Sequence, residues 1–307
     1  MSETQAALLP RRGTWQRLRA RRRAIASLLL LLGLALACGL GPWVAALAGL
    51  DAGAIDLLRR LQGPSLQHPL GTDELGRDLL LRLLEAGRVS LAVGLGGALL
   101  AAALGTAIGL LSGWIGGKAD AFLMRLTDAV IALPLLPLLI VLAAVDLGKM
   151  GVAGTLADDA LMSAVRIVVI VALFGWTTTA RLARAATLSV REREFVLAAR
   201  ALGARPPRIL LYHVLPNIAS PIVVATTLSV GQVILAESVL SFLGLGIQPP
   251  LASWGTMLTG AQERVFDLPM LALWPGLLIF ATVLCFNLLG DGLQEALDPR
   301  SEADRIS

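Results

Sequence analysis

The chain has 307 residues, 56% of them hydrophobic and 16% charged, with a mean hydropathy of +0.76 and a net charge of +4. Soluble domains carry about 25% charged residues, so this chain is too apolar for a fully solvated surface, and it is equally unlike a disordered segment. A disulfide scaffold is excluded by composition, because Cys38 and Cys285 both fall inside apolar runs.

The apolar residues come in long blocks, which read as membrane spans. The first block, Ala24 to Leu50, follows seven arginines (Arg11, Arg12, Arg17, Arg19, Arg21, Arg22 and Arg23). Basic residues, an apolar run and Ala35-Leu36-Ala37-Cys38 resemble a secretory signal. The run continues through Trp43, however, and spans about 40 Å as a helix, so it is retained as a membrane helix. Further spans are expected at Val89–Trp114, Phe122–Val145, Ile167–Ala180, Ile218–Leu243 and Leu271–Leu289, the fourth starting near Leu161 if Arg166 reaches the interface. The fold class is therefore an all-α membrane protein with six transmembrane helices.

Charge sets the orientation. Segment 181–217 holds seven arginines against Glu192 and Glu194, whereas segment 51–88 holds five arginines and six acids. Cytoplasmic loops carry the excess of basic residues, which places both termini and 181–217 in the cytoplasm and 51–88 outside. The expected organisation is an arginine-rich tail (1–23), a first membrane helix (24–50), an outer segment (51–88), a five-helix core (89–291) and a cytoplasmic tail (292–307). The basic blocks are accounted for by the membrane and its lipid, and no nucleic-acid partner is expected.

Within the second span Gly105, Gly109, Gly113 and Gly117 recur every four residues, a ridge that lets a neighbouring helix backbone approach. In the third, Pro134 and Pro137 remove two backbone donors and are expected to kink the helix. Arg125 and Asp128, three apart, are expected to pair. Glu237 lies within the fifth span, where a charge costs of order 3 kcal/mol on insertion scales. It is expected to face a cavity or a subunit interface, or else to make a structural hydrogen bond.

No chemistry of a membrane enzyme is visible. The chain has two histidines, His68 and His213, no H-E-x-x-H motif and no G-x-S-x-G elbow. The run Ser112 to Ala119 resembles a phosphate loop but has Ser112 for the first glycine and Ala119 for the magnesium-binding hydroxyl. No catalytic residue, metal or cofactor is expected, and any uphill transport must draw on an ion gradient or another subunit.

Segment 191–217 reads as helix, turn, helix. Good helix formers run from Glu194 to Leu202, Gly203 supplies a stop, and Pro207 suits the first turn of a second helix. Such a loop is either an amphipathic surface on anionic lipid or a protein-docking element.

Ala198-Ala199, three residues, Gly203 and then Leu215-Pro216 resemble the cytoplasmic "EAA" loop of permeases in bacterial ABC importers. Leu197 stands in the glutamate position of that pattern and His213 in its isoleucine position. Three other segments are similar to the C-type permease of the oligopeptide/dipeptide/nickel branch: His68-Pro69-Leu70-Gly71-Thr72-Asp73-Glu74-Leu75-Gly76-Arg77-Asp78; Glu237 to Gly246 with Pro249-Pro250 and Ser253-Trp254-Gly255; and Asn287 to Leu293 with Leu297-Asp298-Pro299-Arg300. The resemblance covers about residues 65 to 300 and implies the ABC importer type I permease fold. It further implies a homologous second permease subunit, two cytoplasmic ATPase subunits and an extracytoplasmic substrate-binding protein, with peptides or a related small solute as cargo. The loop would be the ATPase-coupling element, carried by Glu194, Ala198, Ala199, Gly203, Leu215 and Pro216; Glu194 either takes the electrostatic role that Leu197 cannot or is a solvated acid at the helix start, where its charge suits the dipole. The competing reading is an ion-driven secondary transporter, which predicts paired intramembrane ionisable residues. A non-transporting scaffold would leave the loop unexplained.

Overall fold

The computed structural model describes residues 14–145 and 160–297. Arg11, Arg12, Asp298, Pro299 and Arg300 lie outside the described residues. The described residues are helical apart from connecting loops, with a single isolated antiparallel bridge between Thr72 and Asp78.

A short helix α1 (Thr14–Arg19) precedes α2 (Arg22–Leu47), the first span. It ends three residues before the expected Leu50, at Ala48 and Gly49, the latter with φ +73°. An ordered outer loop then leads into α3 (Leu79–Ile115). This helix begins ten residues before the expected Val89, because Asp78 caps it by accepting from the Leu81 N–H at 2.9 Å. Its first turns carry Arg82, Glu85 and Arg88, so hydropathy placed them in a loop. A helix of this length extends about 55 Å, and its charged end stands outside the hydrocarbon.

The third span is broken. Helices α4 (Gly117–Ala132) and α5 (Leu135–Ala144) meet at a bend of 85°. The residue before a proline is driven from helical to extended backbone, and Leu133 sits at φ −77°, ψ 138°. Pro134 therefore makes one sharp break, while Pro137 lies inside the first turns of α5 without a second kink. The fourth span, α6 (Ala160–Val190), has the start expected near Leu161 with Arg166 inside the helix, and runs ten residues past the expected Ala180, because Arg181 and Arg184 occupy helical positions that hydropathy excludes. The loop helix α7 (Glu194–Ala201) follows.

A short helix α8 (Pro206–Ile209) then passes through a π-helical turn (Leu210–Val214) into α9 (Leu215–Phe242), so the fifth span is continuous from Pro206. The wide turn belongs to Pro216. It has no N–H to donate and its ring crowds the preceding turn, which the wider π turn relieves. The Leu215 N–H bonds to Leu210 O instead, and Asn217 Nδ2 donates to His213 O at 2.7 Å. Helix α10 (Trp254–Ala261) is outside the long spans, and α11 (Met270–Leu297) is the last one, extending eight residues past the expected Leu289. Among the described residues five helices are long and apolar enough to cross a membrane, and the bent pair taken as one span makes a sixth.

In lipid, apolar surface gives helices little reason to associate, and close backbone approach and polar contacts take over. The glycine ridge does this work between α3 and α6, the most extensive helix pair. A Cβ on Gly105 would come within 2.4 Å of Trp176 O, one on Gly109 within 2.4 Å of Ala180 O, and one on Gly113 within 2.8 Å of the Thr187 Cβ. Gly117 is not part of the ridge: it begins α4 with φ +56° and open space where a Cβ would be. Asp128 pairs not with Arg125 on its own helix but with Arg181 of α6, a partner that becomes available because α6 extends past Ala180. The two ends of the described chain meet on one side of the bundle, where Arg21 and Glu295 form an ion pair at 2.5 Å and Leu18, Ala24 and Ala296 cluster. That is what an even number of crossings requires.

Candidate coupling site

At the basic, cytoplasmic end of the bundle α7 is held in place by a small apolar core and by arginines. Val196, Ile209, Val214 and Ile218 are fully buried with Leu110 of α3 and Ala183 of α6. Arg191 donates from Nη1 to Gly113 O at 2.8 Å, and the Arg200 guanidinium lies 4.1 Å from the centroid of the Trp114 ring. Both contacts fix the loop to the end of α3. The stop after α7 is the expected one: Gly203 takes φ +78°, and the Ala204 N–H reaches back to Ala199 O at 3.1 Å. Pro206 and Pro207 occupy the first two positions of α8, where no partner for an N–H exists anyway.

The six residues singled out in this loop fall into two groups. Glu194 and Ala198 are exposed and one helical turn apart on the outer face of α7, next to exposed Leu197, and Gly203 is exposed at its end. Ala199 is half-buried against the small core. Leu215 is also half-buried there, and Pro216 shapes the π turn; both support the loop from behind. Exposed Phe195, Leu202, Leu211 and Tyr212 give this end of the molecule apolar surface beyond what a solvated helix needs.

Sequence reasoning missed what lies beneath. Asp120, in the first turn of α4, receives a bidentate contact from Arg184 of α6, Nε to Oδ1 at 2.5 Å and Nη2 to Oδ2 at 2.6 Å, and Ser112 of α3 donates to the same carboxylate. Three helices are thereby joined at the root of the loop. Ser112 opens the run resembling a phosphate loop, and its hydroxyl serves this ion pair.

On the opposite end of the bundle, Glu237 does not face a cavity or an exposed surface of the chain. It is fully buried, accepting from Ser241 Oγ at 2.6 Å and Ser90 Oγ at 3.4 Å. The same serines hold the loop after α9: Ser241 Oγ accepts from Ile247 N–H at 3.1 Å, and Ser90 Oγ accepts from Trp254 N–H at 3.1 Å. Trp254 is itself buried, with Nε1 donating to Leu83 O at 3.0 Å. Ser253 caps α10 with Thr256 in a reciprocal box. Both hydrogen bonds of Glu237 are to serines of this chain, Ser90 on α3 and Ser241 on α9. Before α3, Asp73 accepts from the backbone of Leu75 and Arg77 and from Arg77 Nε at 2.7 Å, and Gly76 (φ +74°) has no room for a Cβ against Asp56 O. His68 Nδ1 and Asp78 Oδ2 are 3.0 Å apart. The segment from His68 to Asp78 is a fixed outer turn.

One broken span, a glycine-ridged helix pair and an ordered loop between the fourth and fifth spans define a polytopic helical membrane protein. Residues 105–302 match the family described as binding-protein-dependent transport system inner membrane component, and residues 10–64 match the N-terminal transmembrane domain of oligopeptide transport permease C. The chain belongs to the first of these families and is an inner-membrane permease of the ABC importer class.

It is 40% identical over 292 residues, 95% of this chain and 91% of the relative, to the glutathione transport system permease protein GsiD of Pectobacterium atrosepticum. It is 39% identical over 244 residues, 80% and 76% of the two chains, to the dipeptide transport system permease protein DppC of Alkalihalophilus pseudofirmus. Among solved structures, the MetNI methionine ABC transporter in inward-facing conformations shares the fold, with a TM-score of 0.54, 17% identity and coverage of 72% of this chain and 98% of that one. Nothing in these likenesses supports the ion-driven alternative.

Proposed function

We propose that this permease couples to ATP hydrolysis through α7 and the turn after it. Of two cytoplasmic ATPase subunits beneath the permease pair, one docks on the face bearing Glu194, Ala198 and Gly203, with Ala199, Leu215 and Pro216 holding that face in position. A homologous second permease completes the path, an extracytoplasmic binding protein delivers the solute, and ATP is hydrolysed by the partner subunits. The solute class is peptides or peptide-like compounds, by analogy with relatives named for dipeptide and glutathione transport.

The observation that carries this reading is α7 itself, a short helix pinned by its buried Val196 and by Arg191 and Arg200 while its small-residue face is left open. Small residues allow a partner backbone to approach closely. Replacing exposed Ala198 by tryptophan leaves the buried side of α7 untouched and fills the docking face. The tagged A198W chain is expected to recover far less ATPase from mild detergent than the wild type, with its second permease retained. Undiminished ATPase recovery would remove this face from the coupling surface.

A further inference from the structure

Helix α9 separates two grooves of opposite character. One, between α6, α9 and the end of α11, has a volume of about 480 Å³ and is lined by Thr178, Ser220, Ser229, Gln232 and Gln294 among apolar residues. The other, between α3, α9 and α11, has a volume of about 710 Å³ and is walled by residues such as Leu95, Leu99, Val223 and Leu289. Two of its three threonines are satisfied within their own helix: Thr226 donates to Ile222 O at 2.7 Å and Thr227 to Val223 O at 2.8 Å. That groove suits an apolar neighbour.

The first groove does not. Gln232 lies in the middle of α9, and both it and Gln294 are exposed. Neither amide has a hydrogen-bond partner among the described residues. An unpaired amide facing hydrocarbon is costly, so this face needs water, solute or protein against it. Ser220, Val224, Leu228 and Gln232 recur every four residues along α9 and line the groove from the cytoplasmic end to mid-span. No Asp, Glu, Lys or Arg lines it among the described residues.

We propose that this groove is the chain's wall of the solute path and that Gln232 is the side chain in it that hydrogen-bonds the passing solute. An uncharged wall of hydroxyls and amides fits a solute rich in amide and carbonyl groups, since one amide side chain can donate to a carbonyl and accept from an N–H. It offers no carboxylate to compensate a bare metal cation. The proposal deepens the importer reading and rests on it.

The test is thiol accessibility in the purified, ATPase-bearing importer reconstituted in liposomes, comparing Q232C with V223C in the other groove. The native Cys38 and Cys285 are buried. The probe is a water-soluble trimethylammonium methanethiosulfonate, which reacts with thiolate and so requires water at the sulfur. Q232C is expected to react about tenfold or more faster than V223C. Equal, slow modification of both in a complex that retains its second permease and ATPases would overturn the proposal and mark the groove as sealed by protein or lipid. A wild-type chain that recruits no ATPase overturns the importer reading instead, and this proposal falls with it.

Discussion

Glu237 shows how much a single buried side chain organises. Its two carboxyl oxygens collect serines from α3 and α9, and through those serines the backbones of Ile247 and Trp254 are fixed. Replacing it by alanine strips acceptors from buried hydroxyls, at a cost of about 1–3 kcal/mol. E237A is expected to melt at lower temperature in detergent than E237Q, which keeps one oxygen acceptor; equal melting would contradict the serine cage. At Gly109 the limit is steric, because a Cβ there meets Ala180 O at 2.4 Å and a backbone atom cannot swing aside. G109A is expected to lose about 1–3 kcal/mol of stability through overpacking, readable as a lower unfolding midpoint, whereas G117A, which has open space but φ +56°, tests backbone strain alone. On the docking face, E194Q is expected to weaken solute-stimulated ATP hydrolysis by the assembled importer if Glu194 carries the charge that Leu197 lacks. Unchanged stimulation would make Glu194 an ordinary first-turn acid that suits the helix dipole.

At the scale of elements, the sequence was most legible where periodicity and punctuation agreed. The glycine ridge, the stop at Gly203 and the turn at Pro206–Pro207 all appear where residue type requires them. Helix ends were not legible, because α3 and α6 carry charged residues in turns that project beyond the hydrocarbon, and hydropathy reads charge as loop. The contact of Arg184 with Asp120 joins residues far apart in sequence, and neither residue signals the other. The bend between α4 and α5 was half legible: Pro134 marked it, but its size depends on Leu133 turning fully extended. Removing the proline relieves that restriction. Spin labels at exposed Phe122 and Val141 are therefore expected to move apart in P134A, toward the about 29 Å of an unbroken helix between those positions. An unchanged distance would show that packing against α6, not Pro134, sets the bend.

At the scale of the whole molecule, the two ends of the bundle have separate tasks. The outer end is fastened by the Glu237 cage, by Trp254 and by the capped turn from His68 to Asp78. The cytoplasmic end presents α7, the proposed docking helix, beside an Arg184–Asp120 ion pair that reaches the broken span. If a partner displaces α7, Arg191 and Arg200 link that movement to the end of α3, where Ser112 joins the Arg184–Asp120 pair of α6 and α4. This division of labour has a purpose only if a partner docks below. The decisive measurement is affinity purification of the tagged, full-length chain from mild detergent, with mass spectrometry of what accompanies it. Recovery of a second, homologous permease together with ATPase subunits is the predicted result. A stable chain that purifies alone and moves solute in liposomes without ATP would contradict the account.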